Sequence, residues 1–197
     1  MMKKALLITL TMAAAAIGST TSYAADGTTP VGGDFGGGTI NFTGSVTEAP
    51  CSITPGDDNQ TINLGQVSQK LLKSSSGRGS NIILVKIRLG SCDLTAATTG
   101  GTAFTKASVT FTGPGIDETN KTKGYLSNNG TASNVAVQLT DSAGTAMDLT
   151  KGTSDVTLST GDGNNIQFGA HMVNSSTGGT VTPGTVQAQV TYKLKYS

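Results

Sequence analysis

Short stretches in which polar and apolar residues alternate recur along the chain, and each predicts a β-strand. Five of these stretches lie in the middle of the chain: residues 62–64, 81–89, 107–111, 134–140 and 166–173. Turns rich in Gly, Asn and Asp separate them, for example at residues 128–130 and 162–165. Many short strands joined by such turns are typical of an all-β sandwich. The one helical pattern is a turn between residues 66 and 73.

The same alternation marks the first and last segments of the predicted sandwich. One face of residues 39–47 consists of three apolar residues and a glycine: Ile40, Phe42, Gly44 and Val46. This stretch is either the opening strand of the chain's own sandwich or a strand that adds to the sheet of another molecule. Residues 185–196 alternate without interruption. We therefore expect the chain to end inside a strand whose C-terminus is structurally constrained.

The first residues have the composition of a secretory signal peptide. Two lysines precede an apolar run at residues 5–17, and small residues precede an expected cleavage site after Ala24. The run is too short to span a bilayer, so we expect cleavage of the segment and not anchoring by it. The Gly-rich residues 25–38 that follow are expected to be flexible.

Composition narrows the classes of function. Charged residues form 13% of the chain and the net charge is +1. This balance gives no basis for binding nucleic acid or an anionic membrane surface. The length that remains after residue 24 suits one domain with a hydrophobic core.

The chain offers few residues for chemistry. Cys51 and Cys92 are its two cysteines, and a lone pair in an exported chain is expected to form a disulfide, with two free thiols as the alternative. His171 falls opposite the apolar face of its strand, so we expect it at the surface. The turns at 57–59 and 162–165 lack the full ligand pattern of a calcium loop. We therefore expect no catalytic residue, no metal site and no cofactor, and we do not expect an enzyme.

Several motifs together resemble the major subunits of chaperone–usher fimbriae of the type 1 and P-pilus kind. These motifs are GGTINFTGSV at residues 37–46, APCSI at 49–53, QTINLGQV at 60–67, LGSCD at 89–93, FTG at 111–113 and YKLKYS at 192–197. They span nearly all of the chain after the signal peptide. The segment between Cys92 and Ser108 and the Gly-rich leader fit the family only loosely.

The resemblance implies an incomplete immunoglobulin-like β-sandwich, which lacks its seventh strand. In this family a periplasmic chaperone lends a strand to the open groove. An outer-membrane usher then exchanges that strand for the N-terminal extension of the next subunit. The implied organisation is a signal peptide at residues 1–24, a donor-strand extension at 25–47 and a pilin domain at 48–197.

The resemblance also assigns roles to residues. The inward residues of the donated strand would be Gly38, Ile40, Phe42, Gly44 and Val46. The wall of the groove that meets the chaperone would contain Val190, Tyr192, Leu194, Tyr196 and Ser197. Basic residues of the chaperone would bind the terminal carboxylate of Ser197.

The function that follows is that of a repeating structural subunit of a bacterial surface fimbria, which supports adhesion. Its expected partners are identical or related pilin subunits, the chaperone and the usher, with no nucleic acid. A minor adaptor or adhesive subunit of the same fimbria is the alternative, because adaptors share the fold. An exported enzyme is a third hypothesis, for which the sequence offers no group of catalytic residues.

Overall fold

The computed structural model describes residues 37–73, 79–95, 103–176 and 179–197. The expected signal peptide and residues 25–36 of the expected extension lie outside these ranges. Two units divide the chain, at residues 1–45 and 46–197. In the described part of the first unit, residues 37–45, every residue is exposed and none lies in a helix or strand. Among all the described residues, no helix is long and apolar enough to cross a bilayer.

The second unit is a β-sandwich of two antiparallel sheets. Its elements, in chain order, are β1 (Ser52–Ile53), α1 (Gln69–Lys73), β2 (Ile83–Gly90), β3 (Lys106–Thr112), a 3-10 turn (Lys121–Lys123), β4 (Tyr125–Ser127), β5 (Val135–Thr140), β6 (Val156–Thr157), β7 (Asn164–Asn174) and β8 (Thr191–Tyr196). One sheet has the strand order β1-β2-β7-β5-β4, and the other has the order β6-β3-β8. The predicted all-β sandwich is thus confirmed, as are the predicted strands at β2, β3, β5 and β7 and the helical turn at α1.

Burial along the strands follows the alternation of the sequence. In β2, Val85, Ile87 and Leu89 are buried, while Lys86 and Arg88 between them are exposed. Strand β7 pairs with β2 on one side and with β5 on the other. It is therefore central in its sheet, and most of its residues are buried on both faces.

The core lies between the two sheets. Phe111 of β3 and Phe168 of β7 meet edge to face across it, with ring centroids 5.2 Å apart. Cys51 and Cys92 are buried in the same core and form the predicted disulfide, which joins the start of β1 to the end of β2. The bridge fixes β1 at the edge of the larger sheet.

Three predictions from periodicity differ from the structure. Residues 39–47 and 62–64 alternate but form no strand in this chain, and only residues 191–196 of the alternating C-terminal stretch pair with a neighbouring strand. These segments have the pattern of strands, but none of the described residues forms a ladder with them.

The prediction that His171 is exposed is wrong. Its side chain is buried, with Nδ1 3.2 Å from the Ser80 carbonyl oxygen and Nε2 2.9 Å from Gln138 Oε1. The residues that precede β2 cover this part of the outer sheet face, and Gly79 packs so closely on the imidazole that a Cβ there would lie 2.3 Å from Nδ1. Periodicity correctly places His171 on the outer face of its sheet. It does not show that the residues before β2 cover this face.

Candidate functional site

An open groove of about 1160 Å³ runs along the second unit, between two segments that lie largely outside the strands of either sheet. We call residues 57–69 the first wall and residues 181–192 the second wall. The floor consists of side chains of the core, and it includes Phe111, Phe168, Val85, Ile87, Val137, Leu139 and Ala170. The groove is therefore long, apolar at its base and open along its length.

The main chain of the second wall forms hydrogen bonds on one of its two sides only. The carbonyl oxygens of Thr185 and Gln187 accept hydrogen bonds from Ala132 and Asn129, 3.0 and 2.8 Å long. The main-chain groups of the alternate residues Val186, Ala188 and Val190 form no hydrogen bond to any described residue. Because the backbone of an extended chain points alternately to its two sides, these groups face the groove.

Two glycines allow the second wall to lie close to the rest of the sandwich. A Cβ on Gly115 would lie 1.9 Å from the Gln189 carbonyl oxygen, and a Cβ on Gly130 would lie 2.1 Å from that of Thr185. Any larger residue at either position would push the wall away from its neighbours. The glycines therefore help to set the width of the groove.

The first wall also presents unused backbone groups. Ile62 and Leu64 are half-buried against the core, yet their main-chain groups make no hydrogen bond to the part of the chain that the structure describes. Partly covered backbone groups without partners favour the addition of a strand, which would satisfy them. Both walls together offer one strand a partner on each side.

A hydrogen bond joins the two walls at one end of the groove. The Tyr192 hydroxyl of the second wall donates to the Asp57 carbonyl oxygen of the first wall over 2.8 Å. Burial, with nearby Asp58 and Asp57 as further causes, raises the pKa of Tyr192, so the hydroxyl keeps its proton at neutral pH. The Asp57 carboxylate binds Arg88 of β2, and the hydrogen bond from the Arg88 side chain lowers its pKa. This network connects both sheets and both walls.

A second contact joins the walls at the other end. Gln69 of α1 donates a hydrogen bond from Nε2 to the carbonyl oxygen of Val181. Below it, Leu72 and Val181 pack with Val135 and Met172 in a small hydrophobic cluster. The groove is thus bounded at both ends by a side chain of one wall that binds a carbonyl of the other.

The residues predicted for the donated strand lie in or next to the first unit and are exposed. The exposed fractions of Ile40, Phe42 and Val46 are 76%, 89% and 101%. A Cβ on Gly44 would meet no atom within 4 Å, and the same holds for Gly38. In this single chain these apolar side chains are left without a buried position.

The residues predicted for the C-terminal wall divide at Tyr192. Val190 and Tyr192 line the groove, whereas Leu194 and Tyr196 pack against the core beyond its end. The carbonyl oxygen of Ser197 accepts hydrogen bonds from the backbone N–H groups of Thr105 and Lys106, at 2.8 and 2.9 Å. One main-chain oxygen of Ser197 is therefore already hydrogen-bonded within the chain.

Sequence reasoning missed the residues that close the ends of the groove. The sequence predicts only a turn at residues 57–59, whereas Asp57 is buried and its partner Arg88 lies 31 positions away. The isolated arginine on a strand of otherwise apolar and lysine residues was the available signal. Among the described residues, no group of three or more His, Cys, Asp or Glu side chains could hold a metal ion.

Comparison with known proteins gives a consistent result. The family described as fimbrial protein matches residues 40–197. The chain is 38% identical to the major MR/P fimbria protein of Proteus mirabilis over 83% of this chain and 86% of that protein. It is 37% identical to a type-1 fimbrial protein, A chain, of Escherichia coli over 90% of this chain and 91% of that one.

Solved structures show the same relationship. A subunit in the structure of a chaperone–usher pilus superimposes with a TM-score of 0.66 at 30% identity, covering 83% of this chain and 97% of that one. The P pilus rod subunit PapA superimposes with a TM-score of 0.59 at 28% identity, covering 76% of this chain and all of PapA.

Proposed function

The chain belongs to the fimbrial protein family, and from this premise we propose that it is the rod subunit of a chaperone–usher fimbria that polymerises by exchanging strands. Residues 38–46 of one subunit would fill the groove of its neighbour, with Gly38, Ile40, Phe42, Gly44 and Val46 facing its floor. The observation that carries the proposal is the combination of an apolar groove with two unpaired edges and an exposed apolar segment in the same chain.

Physical chemistry supports the pairing. The groove has hydrogen-bonding edges on both walls, and a strand between them would satisfy both. An extended segment with side chains at every second position would place its apolar face on Phe111 and Phe168. The glycine at position 44 suits a point at which the donated backbone lies close to the floor.

The same groove would need a temporary partner before assembly. An apolar groove of this size that remained open in the periplasm would favour aggregation. We propose that a periplasmic chaperone supplies a strand to the second wall and the C-terminus, and that an outer-membrane usher exchanges it for the next subunit. The role is structural, and the assembled chain would lie in a fimbria at the cell surface.

A self-complemented subunit tests this function. Residues 25–47 are deleted from the mature chain, and a copy of residues 38–47 is appended after Ser197 through a short flexible linker. The linked strand acts at high effective concentration, so it should fill the groove and give a stable monomer. A matched control carries Phe42→Lys in the appended copy. If the appended strand gives no more stability than the truncated chain alone, the proposed function is wrong.

A further inference from the structure

The edge that would receive a donated strand is longer than the groove. Strand β8 pairs with β3 on one side only, so its other edge continues past Tyr192 to Tyr196. The inward residues along this edge repeat with period two: Val186, Ala188, Val190, Tyr192, Leu194 and Tyr196. The donor segment also alternates with period two. A shift of the donor by two residues would therefore keep every inward side chain on the same face, and alternation alone cannot set the register.

The groove nevertheless ends at Tyr192. Its ring is half-buried, and its hydroxyl spans the gap to the Asp57 carbonyl oxygen over 2.8 Å. Tyr192 is the last residue of the second wall, and Asp57 is the first residue of the first wall. The boundary of the groove thus coincides with this hydrogen bond.

Asp57 is a rigid partner for that bond. Its carboxylate accepts hydrogen bonds from the Arg88 backbone N–H at 2.7 Å and from the Arg88 guanidinium at 2.9 and 2.8 Å. Arg88 belongs to β2, an inner strand of the larger sheet between β1 and β7. A donated strand that slid past Tyr192 would have to break this hydrogen bond. Its donor, Tyr192, lies in β8 of one sheet, and its acceptor residue, Asp57, is bound by Arg88 of the other sheet.

The distance between the two bridged ends matches the donor segment. The Tyr192–Asp57 contact and the Gln69–Val181 contact enclose about ten residues of the second wall, which in extended form would span ~33 Å at ~3.3 Å per residue. Residues 38–46 in extended form have a similar length. A groove closed at both ends would accept this segment in one register and exclude a longer pairing.

We infer that Tyr192, through its hydrogen bond to Asp57, is an end stop that fixes the register of the donated strand. This inference rests on the proposed function, since it concerns the strand that the groove would receive. Tyr192 is a positioning residue here, and the group responsible is its hydroxyl. The chain supplies a matched control in Tyr196, which lies on the same face of β8 and whose buried hydroxyl has no partner among the described residues.

Cysteine cross-linking between subunits in assembled fibres of the full mature chain measures the register. One cysteine replaces Gly38 or Val46, the two ends of the donor segment. A second replaces Ala188, Val190 or Leu194, and peptide mapping verifies that Cys51–Cys92 is retained. Each pair is placed in the natural background, in Tyr192→Phe and in Tyr196→Phe. A ladder on a non-reducing gel marks cross-links between subunits, and the mapped peptides identify the pair.

With natural Tyr192 we expect cross-links at Ala188 or Val190 and no more than a trace at Leu194. In Tyr192→Phe the product at Leu194 should rise roughly five- to tenfold, the factor expected from loss of one hydrogen bond. Tyr196→Phe should match the natural background. A Leu194 product in the natural background as abundant as the products at Ala188 or Val190, or no change in Tyr192→Phe, overturns the end stop, while cross-links at Ala188 or Val190 uphold the proposed function. No cross-link at any wall position overturns the proposed function itself.

Discussion

The guanidinium of Arg88 donates hydrogen bonds of 2.9 and 2.8 Å to the two carboxylate oxygens of Asp57. The arginine side chain is largely exposed, whereas the aspartate side chain is only 7% exposed. The pair therefore places a buried negative charge at the end of the groove and neutralises it from the outer face of the larger sheet. A buried carboxylate that depends on one partner makes the local structure sensitive to acid.

The first prediction concerns this sensitivity. The hydrogen bond from Arg88 lowers the pKa of Asp57 in the folded state from its ordinary value of 3.8. Its stabilising contribution is therefore complete above the unfolded pKa and is lost as the pH falls through the lower folded pKa. Between about pH 5 and pH 2, the free energy of unfolding of the self-complemented monomer should fall less steeply in Asp57→Asn than in the natural sequence.

Urea unfolding at a series of pH values measures the difference between the two proteins. Asp93 and Asp148 also have lowered pKa values, since hydrogen bonds from Thr95 and Thr150 stabilise their carboxylates. They remain in both proteins and cancel in the comparison. Parallel pH profiles would show that the Asp57–Arg88 pair does not contribute to acid stability.

The second prediction concerns Gly115, which allows the second wall to lie close to the rest of the sandwich. Gly115→Ala would place a Cβ 1.9 Å from the Gln189 carbonyl oxygen, so the wall must move outward. Overpacking of this kind destabilises a fold by about 1–3 kcal/mol. We therefore expect Gly115→Ala to lower the midpoint temperature of thermal unfolding of the self-complemented monomer. In the natural mature chain Gly37→Ala is the control, because a Cβ there meets no atom within 4 Å and should leave stability unchanged.

The third prediction concerns His171, whose burial contradicts the expectation from sequence. Its ring lies between two oxygen atoms, the Ser80 carbonyl and Gln138 Oε1. The ring donates to at least one of them, so His171→Ala would leave a buried oxygen without its donor, which typically destabilises a protein by about 1–3 kcal/mol. Lys86→Ala on the exposed face of β2 should change stability by less than about 0.5 kcal/mol. If urea unfolding gives the two variants the same free energy of unfolding, the contacts of His171 do not stabilise the fold.

Sequence alone predicted the longer strands that find partners within the chain, but not the short strands β1, β4 and β6. The alternation in β2, β3, β5 and β7 specifies which residues face the core, and in these strands each neighbour belongs to the same molecule. Residues 62–64 and 185–190 have the same pattern but no ladder. Periodicity reports the side chains that will be buried, and it carries no information about which molecule supplies the adjacent strand.

The ends of the groove could not be predicted for a different reason. Tyr192 and Asp57 are 135 positions apart, and the bond between them involves a backbone carbonyl, which any residue would provide. A tyrosine at an inward position of an alternating strand has the pattern of an ordinary core residue. Only the folded arrangement shows that its hydroxyl reaches the opposite wall.

The last prediction separates the donated strand from a merely exposed leader. In the single chain Phe42 is 89% exposed, so replacing it should leave the subunit's own fold unchanged. In the fibre its ring would be buried, which contributes at most roughly 1.5–3 kcal/mol, and a lysine there would bring a charge into the apolar groove. Phe42→Lys should therefore shorten or abolish fibres in electron micrographs of cells that express it. Asn41→Lys introduces the same charge on the outward face of the same segment, so it should assemble nearly as well as the natural chain. Sedimentation of sheared fibres gives the amount of polymer for each variant. If both lysine variants assemble equally, residues 38–46 do not enter a neighbour's groove with Phe42 facing its floor.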